Sequence, residues 1–202
     1  MKIIILVLFS YLLGSVSFGY IFAKKRKNID IRKVGSGSTG ATNTARILGL
    51  KYAALVFLLD VIKGFLAVFL AARFTSSNYW VIILCAYAVI IGHNWPIFFS
   101  FKGGRGSATT LGVLFGIMPL PATIILSFII LIIIALTRYV SLGSLIGAIL
   151  IPVLMICFSC PLEYYLFGIP IVVLVIWRHL PNIERLRTGR EPRLGEMVDI
   201  DN

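Results

Sequence analysis

Residues 35–46 read GSGSTGATNTAR and residues 102–110 read KGGRGSATT. In both stretches glycine lets backbone N–H groups converge, Ser and Thr add hydroxyl donors, and Lys or Arg adds positive charge. That is the chemistry of holding an anion such as a phosphate. Each stretch also runs into a sequence that forms a helix, whose first N–H groups and positive dipole end favour an anion further. In the first, Ser36, Gly37, Ser38, Thr39, Gly40 and Thr42 are the candidate donors, with Asn43 and Arg46 as direct contacts. In the second they are Lys102, Gly103, Gly104, Arg105, Gly106 and Ser107, the last a candidate N-cap. Two such loops point to two phosphate-bearing ligands handled at one surface.

Two nucleotide readings fail. Gly35 to Gly40 spells G-x-G-x-x-G with Asp60 about twenty residues on, but a dinucleotide fold needs a preceding strand, and here a polybasic segment precedes. As a P-loop the stretch has Ala41 where lysine is required.

Further polar residues flank apolar runs. His93 and Asn94 precede the second loop, which makes His93 a candidate catalytic or ligand group and Asn94 a candidate contact. Asp60 and Lys63, spaced i, i+3, share one helix face and each costs roughly 2.5–3.5 kcal/mol alone at a bilayer centre. They should face protein interior or a polar cavity, paired with each other or helping to position a basic-loop residue or a substrate. Near the C-terminus, Arg178, His179, Asn182, Arg185 and Glu191 form a third polar set, expected on the same face as the two loops. The H-x-x-x-x-E spacing from His179 to Glu184 carries little weight, because any amphipathic tail meets it easily.

These groups have to be positioned by membrane helices. The 202 residues are 59% hydrophobic and 13% charged, with a mean hydropathy of +0.98. Such a chain is not a water-soluble domain. Seven apolar stretches stand out, at about 3–23, 52–72, 79–99, 107–118, 120–136, 140–158 and 162–177. Most approach the roughly 20 residues that cross the hydrocarbon core. The expectation is one all-α integral membrane domain over 1–202, with seven transmembrane helices, one or two of them short or broken. The turn between the fourth and fifth is placed at Pro119-Leu120-Pro121, since proline cannot continue a helix without losing a backbone bond.

Charge sets the orientation. Lys24, Lys25, Arg26, Lys27, Arg32, Lys33, Arg46 and Lys51 crowd the first loop against the single acid Asp30. That loop should be cytoplasmic, with the N-terminus outside and the C-terminus inside. The net charge of +11 is then the mark of cytoplasmic loops and anionic lipid or substrate, not of nucleic acid. The first apolar run continues to Ala23 and meets a basic cluster, so it reads as a retained span and not a cleaved signal peptide. Cys157 and Cys160 lack the soluble context of a redox motif and read as packing residues. No carboxylate or Cys/His cluster suggests a metal, and no cofactor is expected.

The set GSGSTGATNTAR, GHNWPIFFSFKGGRGSAT and RHLPNIERLRTGRE resembles the three motifs of the bacterial acyl-phosphate:glycerol-3-phosphate acyltransferases, the PlsY family, in order and along essentially the whole chain. Ser38, Arg105 and Arg190 stand where that family more often carries Asn, Lys and Thr. The resemblance implies transfer of a fatty acyl group from acyl phosphate to the 1-hydroxyl of glycerol 3-phosphate at the bacterial inner membrane, giving lysophosphatidate and phosphate. The acyl chain would stay in lipid. Direct attack would need no covalent enzyme intermediate, with Lys102 and Arg46 stabilising developing charge. His93, His179 and the donor phosphate itself are the candidates for the proton acceptor. The alternative reading is a transporter or flippase of an anionic metabolite or lipid, but such proteins usually carry internal repeats and midplane sites. No repeat is visible.

Overall fold

Long runs of Leu, Ile, Val, Phe and Ala can satisfy their backbone inside hydrocarbon only as helices or closed barrels. The computed structural model describes residues 1–197, and among them every regular element is helical. In chain order these are α1 (Lys2–Ser15), α2 (Phe18–Lys27), α3 (Ala41–Leu48), α4 (Leu50–Phe74) and α5 (Tyr79–Asn94). Then come α6 (Ser107–Ile117), α7 (Leu120–Thr137), α8 (Val140–Cys157), α9 (Leu162–Arg178) and α10 (Leu180–Arg187). Single 3-10 turns sit at Ile31–Lys33 and Ile97–Phe99.

All seven expected apolar stretches are helical. Among the described residues five segments are long and apolar enough to cross a membrane, or six if α9 and α10, bent by 57°, count as one. The seventh, α6, has 11 residues. At 1.5 Å per residue it falls well short of an upright crossing. The chain turns between α6 and α7 at Pro119, and Pro121 enters the first turn of α7, where its missing N–H costs nothing.

The first apolar run departs from expectation. It is two helices, broken where Val16 and Ser17 take extended conformations. Carbonyls left over by the break are not wasted, since Gly14 and Val16 both accept from Lys63 Nζ at 3.0 Å. The second helix then carries Lys24 to Lys27 on its last turn and stops at Asn28, whose φ of 56° caps it.

Contacts divide the chain into two compact units. In the first, Met1–Val113, α1 packs on α5, while α3 and α5 pack on α4. Glycine permits the closest approaches. A methyl on Gly14 would lie 2.8 Å from the Val89 carbonyl carbon, and one on Gly92 would lie 3.0 Å from Ser15 N, so α1 and α5 each present a glycine to the other's backbone. Gly64 and Gly112 make the same reciprocal arrangement between α4 and α6. In the second unit, Leu114–Leu194, α8 packs on both α7 and α9. Its tail pairs with the α7–α8 turn, where Leu194 N–H donates to Arg138 O at 2.7 Å and Arg138 Nη2 donates to Leu194 O at 2.9 Å.

Candidate active site

The first glycine-rich loop is folded around one side chain. Asn43, on the first turn of α3, donates from Nδ2 to the carbonyls of Ile31, Val34 and Ser38 at 3.1, 3.0 and 2.9 Å. Its Oδ1 accepts the Ser36 N–H at 2.9 Å. Expected as a direct anion contact, Asn43 instead spends its amide on the loop's own backbone. Gly35 and Gly37 take φ of 62° and 68°, a left-handed conformation that glycine adopts without strain. Gly40 accepts the Thr44 N–H at 3.1 Å and opens α3, and Ser38 Oγ accepts the Gly40 N–H at 3.3 Å. Thr39 is buried, whereas Thr42 is half-buried at the helix start. Arg46 lies on the last turn of α3 and is 5% exposed, an unusual burial for a guanidinium.

The second loop is pressed onto the end of α5. Gly103 and Gly104 are buried. A methyl on Gly103 would lie 2.6 Å from Pro96 Cδ and 2.9 Å from Asn94 O. Gly104 N–H donates to His93 O at 3.0 Å. Gly106 has φ of 87° and its carbonyl accepts from Thr110 N–H at 2.7 Å. It therefore takes the cap position given to Ser107 above, and Ser107 is the first helical residue. Lys102 is exposed and Arg105 half-buried. Behind the loop, the Oδ1 and Nδ2 of Asn94 and the hydroxyls of Thr109 and Thr110 are buried without a hydrogen-bond partner among the described residues. Buried polar groups are rarely left so.

A clasp that the sequence did not reveal joins the segments leading into the two loops. Arg32 forks onto Asp30, with Nε to Oδ1 at 2.8 Å and Nη2 to Oδ2 at 2.7 Å. Its third donor group, Nη1, reaches the Phe99 carbonyl at 2.8 Å. The guanidinium lies 4.9 Å from the Tyr20 ring centroid, and Tyr20 packs on Phe99 at 4.7 Å. The hydrogen bonds from Arg32 hold the Asp30 carboxyl at about 2, well below its usual value. The only trace in the sequence is D-x-R next to a basic run, and its partner Phe99 is 67 residues away.

In the second unit the third motif is organised by an acid. Glu191 is buried and accepts from Ser141 Oγ at 2.9 Å, Asn182 Nδ2 at 2.6 Å and Arg185 Nε at 2.7 Å. Burial pushes this carboxyl up, but the three hydrogen bonds and the Arg185 charge outweigh burial and hold it below its usual value. Asn182 Oδ1 and Arg185 Nη2 are buried and face no protein partner among the described residues. Ser141, at the start of α8, is a second residue the sequence did not reveal. His179 is 2% exposed, and its Nδ1 lies 2.8 Å from Val175 O. In the neutral ring Nδ1 is then the donor and Nε2 carries the lone pair. Arg178 ends α9 half-buried.

The first unit thus holds Ser36 to Arg46 together with Asp60, Lys63, and His93 to Ser107, the last three joined by the Asp60 contacts, and the second gathers His179, Asn182, Arg185 and Glu191. The chemistry on offer is anion binding by amides, hydroxyls and cations, with polar atoms held by internal carboxylates.

Comparison with known proteins bears on this arrangement. The glycerol-3-phosphate acyltransferase family model matches residues 4–189. A glycerol-3-phosphate acyltransferase of Halalkalibacterium halodurans is 48% identical over 196 residues, covering 95% of each chain. One from Aquifex aeolicus is 45% identical over 194 residues, covering 96% of this chain and all of the relative. The crystal structure of PlsY (YgiH), an integral membrane glycerol 3-phosphate acyltransferase, in its glycerol 3-phosphate form matches with a TM-score of 0.91 at 42% identity over 96% of each chain. The lysophosphatidic acid form of PlsY matches with a TM-score of 0.87 at 41% identity.

Proposed function

The chain belongs to the glycerol-3-phosphate acyltransferase family, and from that premise we propose that it acylates the 1-hydroxyl of glycerol 3-phosphate with an acyl phosphate as donor. The products are lysophosphatidate and inorganic phosphate. The acceptor oxygen attacks the acyl carbon, the bond from that carbon to the phosphate oxygen breaks, and phosphate leaves with the electron pair. An acyl phosphate is a mixed anhydride, so this needs no enzyme nucleophile. Binding both reactants side by side supplies much of the rate. We assign the two phosphates to the amides, hydroxyls and cations of the two loops, and the positive-inside charge pattern supports a cytoplasmic site on a bacterial inner membrane.

Arg46 and Lys102 oppose the charge that grows on the departing phosphate and the acyl oxygen. Asn43 shapes its loop, and Glu191 aims Asn182 and Arg185. The observation that supports this reading is that two anion-binding loops lie in one compact unit, with the segments leading into them tied by Arg32. The transporter alternative gives way to the family assignment.

The direct test incubates purified protein with acyl phosphate and glycerol 3-phosphate and follows lysophosphatidate and phosphate. Equimolar release is expected. Turnover with an acyl thioester alone, or none from folded protein, would overturn the donor assignment.

The clasp carries its own prediction. Arg32→Ala should lower kcat/KM roughly tenfold, about 1.4 kcal/mol, with Arg32→Lys in between because lysine keeps charge without the fork. Unchanged kinetics in both variants would remove the clasp from the mechanism. The folded Asp30 carboxyl sits at about 2 against 3.8 when released. Its contribution is therefore complete above about pH 4 and fades as the pH falls through the folded value.

A further inference from the structure

A charged strut runs inside the first unit, from the break in the first apolar run to the back of the second loop. Lys63 and Asp60 are each 2% exposed, with Nζ 2.8 Å from Oδ1. The ammonium also donates to the Gly14 and Val16 carbonyls, so all three of its protons have oxygen neighbours. The same Asp60 oxygen faces Nδ1 of His93 at 3.5 Å, and His93 is itself only 6% exposed. The far edge of the imidazole lies against Gly104. A methyl there would meet Nε2 and would sit 2.7 Å from Cε1 and 2.9 Å from Cδ2. Main chain reinforces the contact, since Gly104 N–H donates to His93 O.

A pair that served only to neutralise two buried charges would need no histidine. Here one carboxylate oxygen is shared between Lys63 and a ring that touches the anion loop. We infer that Asp60, anchored by Lys63, is a positioning residue, and that His93 is a second one and not the proton acceptor. Asp60 favours the ring's Nδ1–H tautomer and fixes its plane, and the ring sets where the Gly103–Gly104 backbone stands, with Lys102 and Arg105 on either side of it. The proton of the attacking hydroxyl then leaves by another route, on the departing phosphate. This rests on the acyltransfer reading above and names the residues that hold its second loop.

The test uses the full chain in detergent and measures thermal unfolding, KM for each substrate and the pH–rate profile. Asp60→Asn and Lys63→Met each strand a buried charge, so both should lower Tm. The double variant strands none and should recover most of that loss. Its KM should nevertheless rise at least tenfold for one substrate, the one the second loop holds, with the other within twofold. His93→Gln, which does not depend on the double variant folding, should show the same one-sided KM rise and keep every limb of the wild-type pH profile. Wild-type KM values in the double variant, an equal rise for both substrates, or loss of a pH limb in His93→Gln would each overturn the inference. Failure of the wild type to use acyl phosphate would strike the proposed reaction instead, and the two failures are separable.

Discussion

Alanine at Gly104 should leave about 1% or less of the wild-type kcat/KM, since misplacing a reacting group by about 1 Å can cost a hundredfold. The added methyl meets the His93 ring, with Cε1 at 2.7 Å and Cδ2 at 2.9 Å. That ring has little room to retreat, because Asp60 faces its other side and the site is buried. The backbone of the second loop must move instead, carrying Lys102 and Arg105 on either side of it out of place. Steady-state kinetics beside a thermal melt check this. Activity within threefold of wild type would mean that the ring yields and the loop does not. A lost fold without residual turnover would point to overpacking of the kind that costs about 1–3 kcal/mol in a tight core.

The second large effect is expected at Arg46. Its guanidinium is 5% exposed, and a charge at that depth interacts with an anion far more strongly than one in water. Arg46→Ala should lower kcat/KM roughly a hundredfold, the scale of losing one donor to developing negative charge. Arg46→Lys should recover only part of that, because a bidentate fork is replaced by a point charge. Lys102 provides the contrast. It is exposed, so Lys102→Ala should cost nearer tenfold, about 1.4 kcal/mol. Near-normal turnover in Arg46→Ala and Lys102→Ala together would make the loops markers of topology and nothing more.

The helices were readable because hydrocarbon demands them. The run at 52–72 is α4, 140–158 is α8, and Pro119 turns the chain where its lost backbone bond predicts. The glycine-rich loops were readable for a local reason too, since their composition suits neither helix nor core. Residues whose role depends on a distant partner were not. Nothing near Val16 signals a break, because what satisfies it is Lys63, 47 residues on. Asn43 looked like a ligand contact because a T-G-A-T-N-x-x-R run gives no sign that the loop will fold back onto the amide. Ser141 is separated from Glu191 by 50 residues, and no periodicity connects them.

The break at Val16 also bears on how the protein is made. When α1 and α2 first enter the bilayer, the Gly14 and Val16 carbonyls have no donor in their own helices. The lysine that serves them lies on α4, later in the chain. Lys63 in turn enters as a costly intramembrane charge whose best acceptors are those carbonyls and Asp60. Each segment completes the other's polar groups, so the break in the first span and the lysine of α4 are satisfied together or not at all.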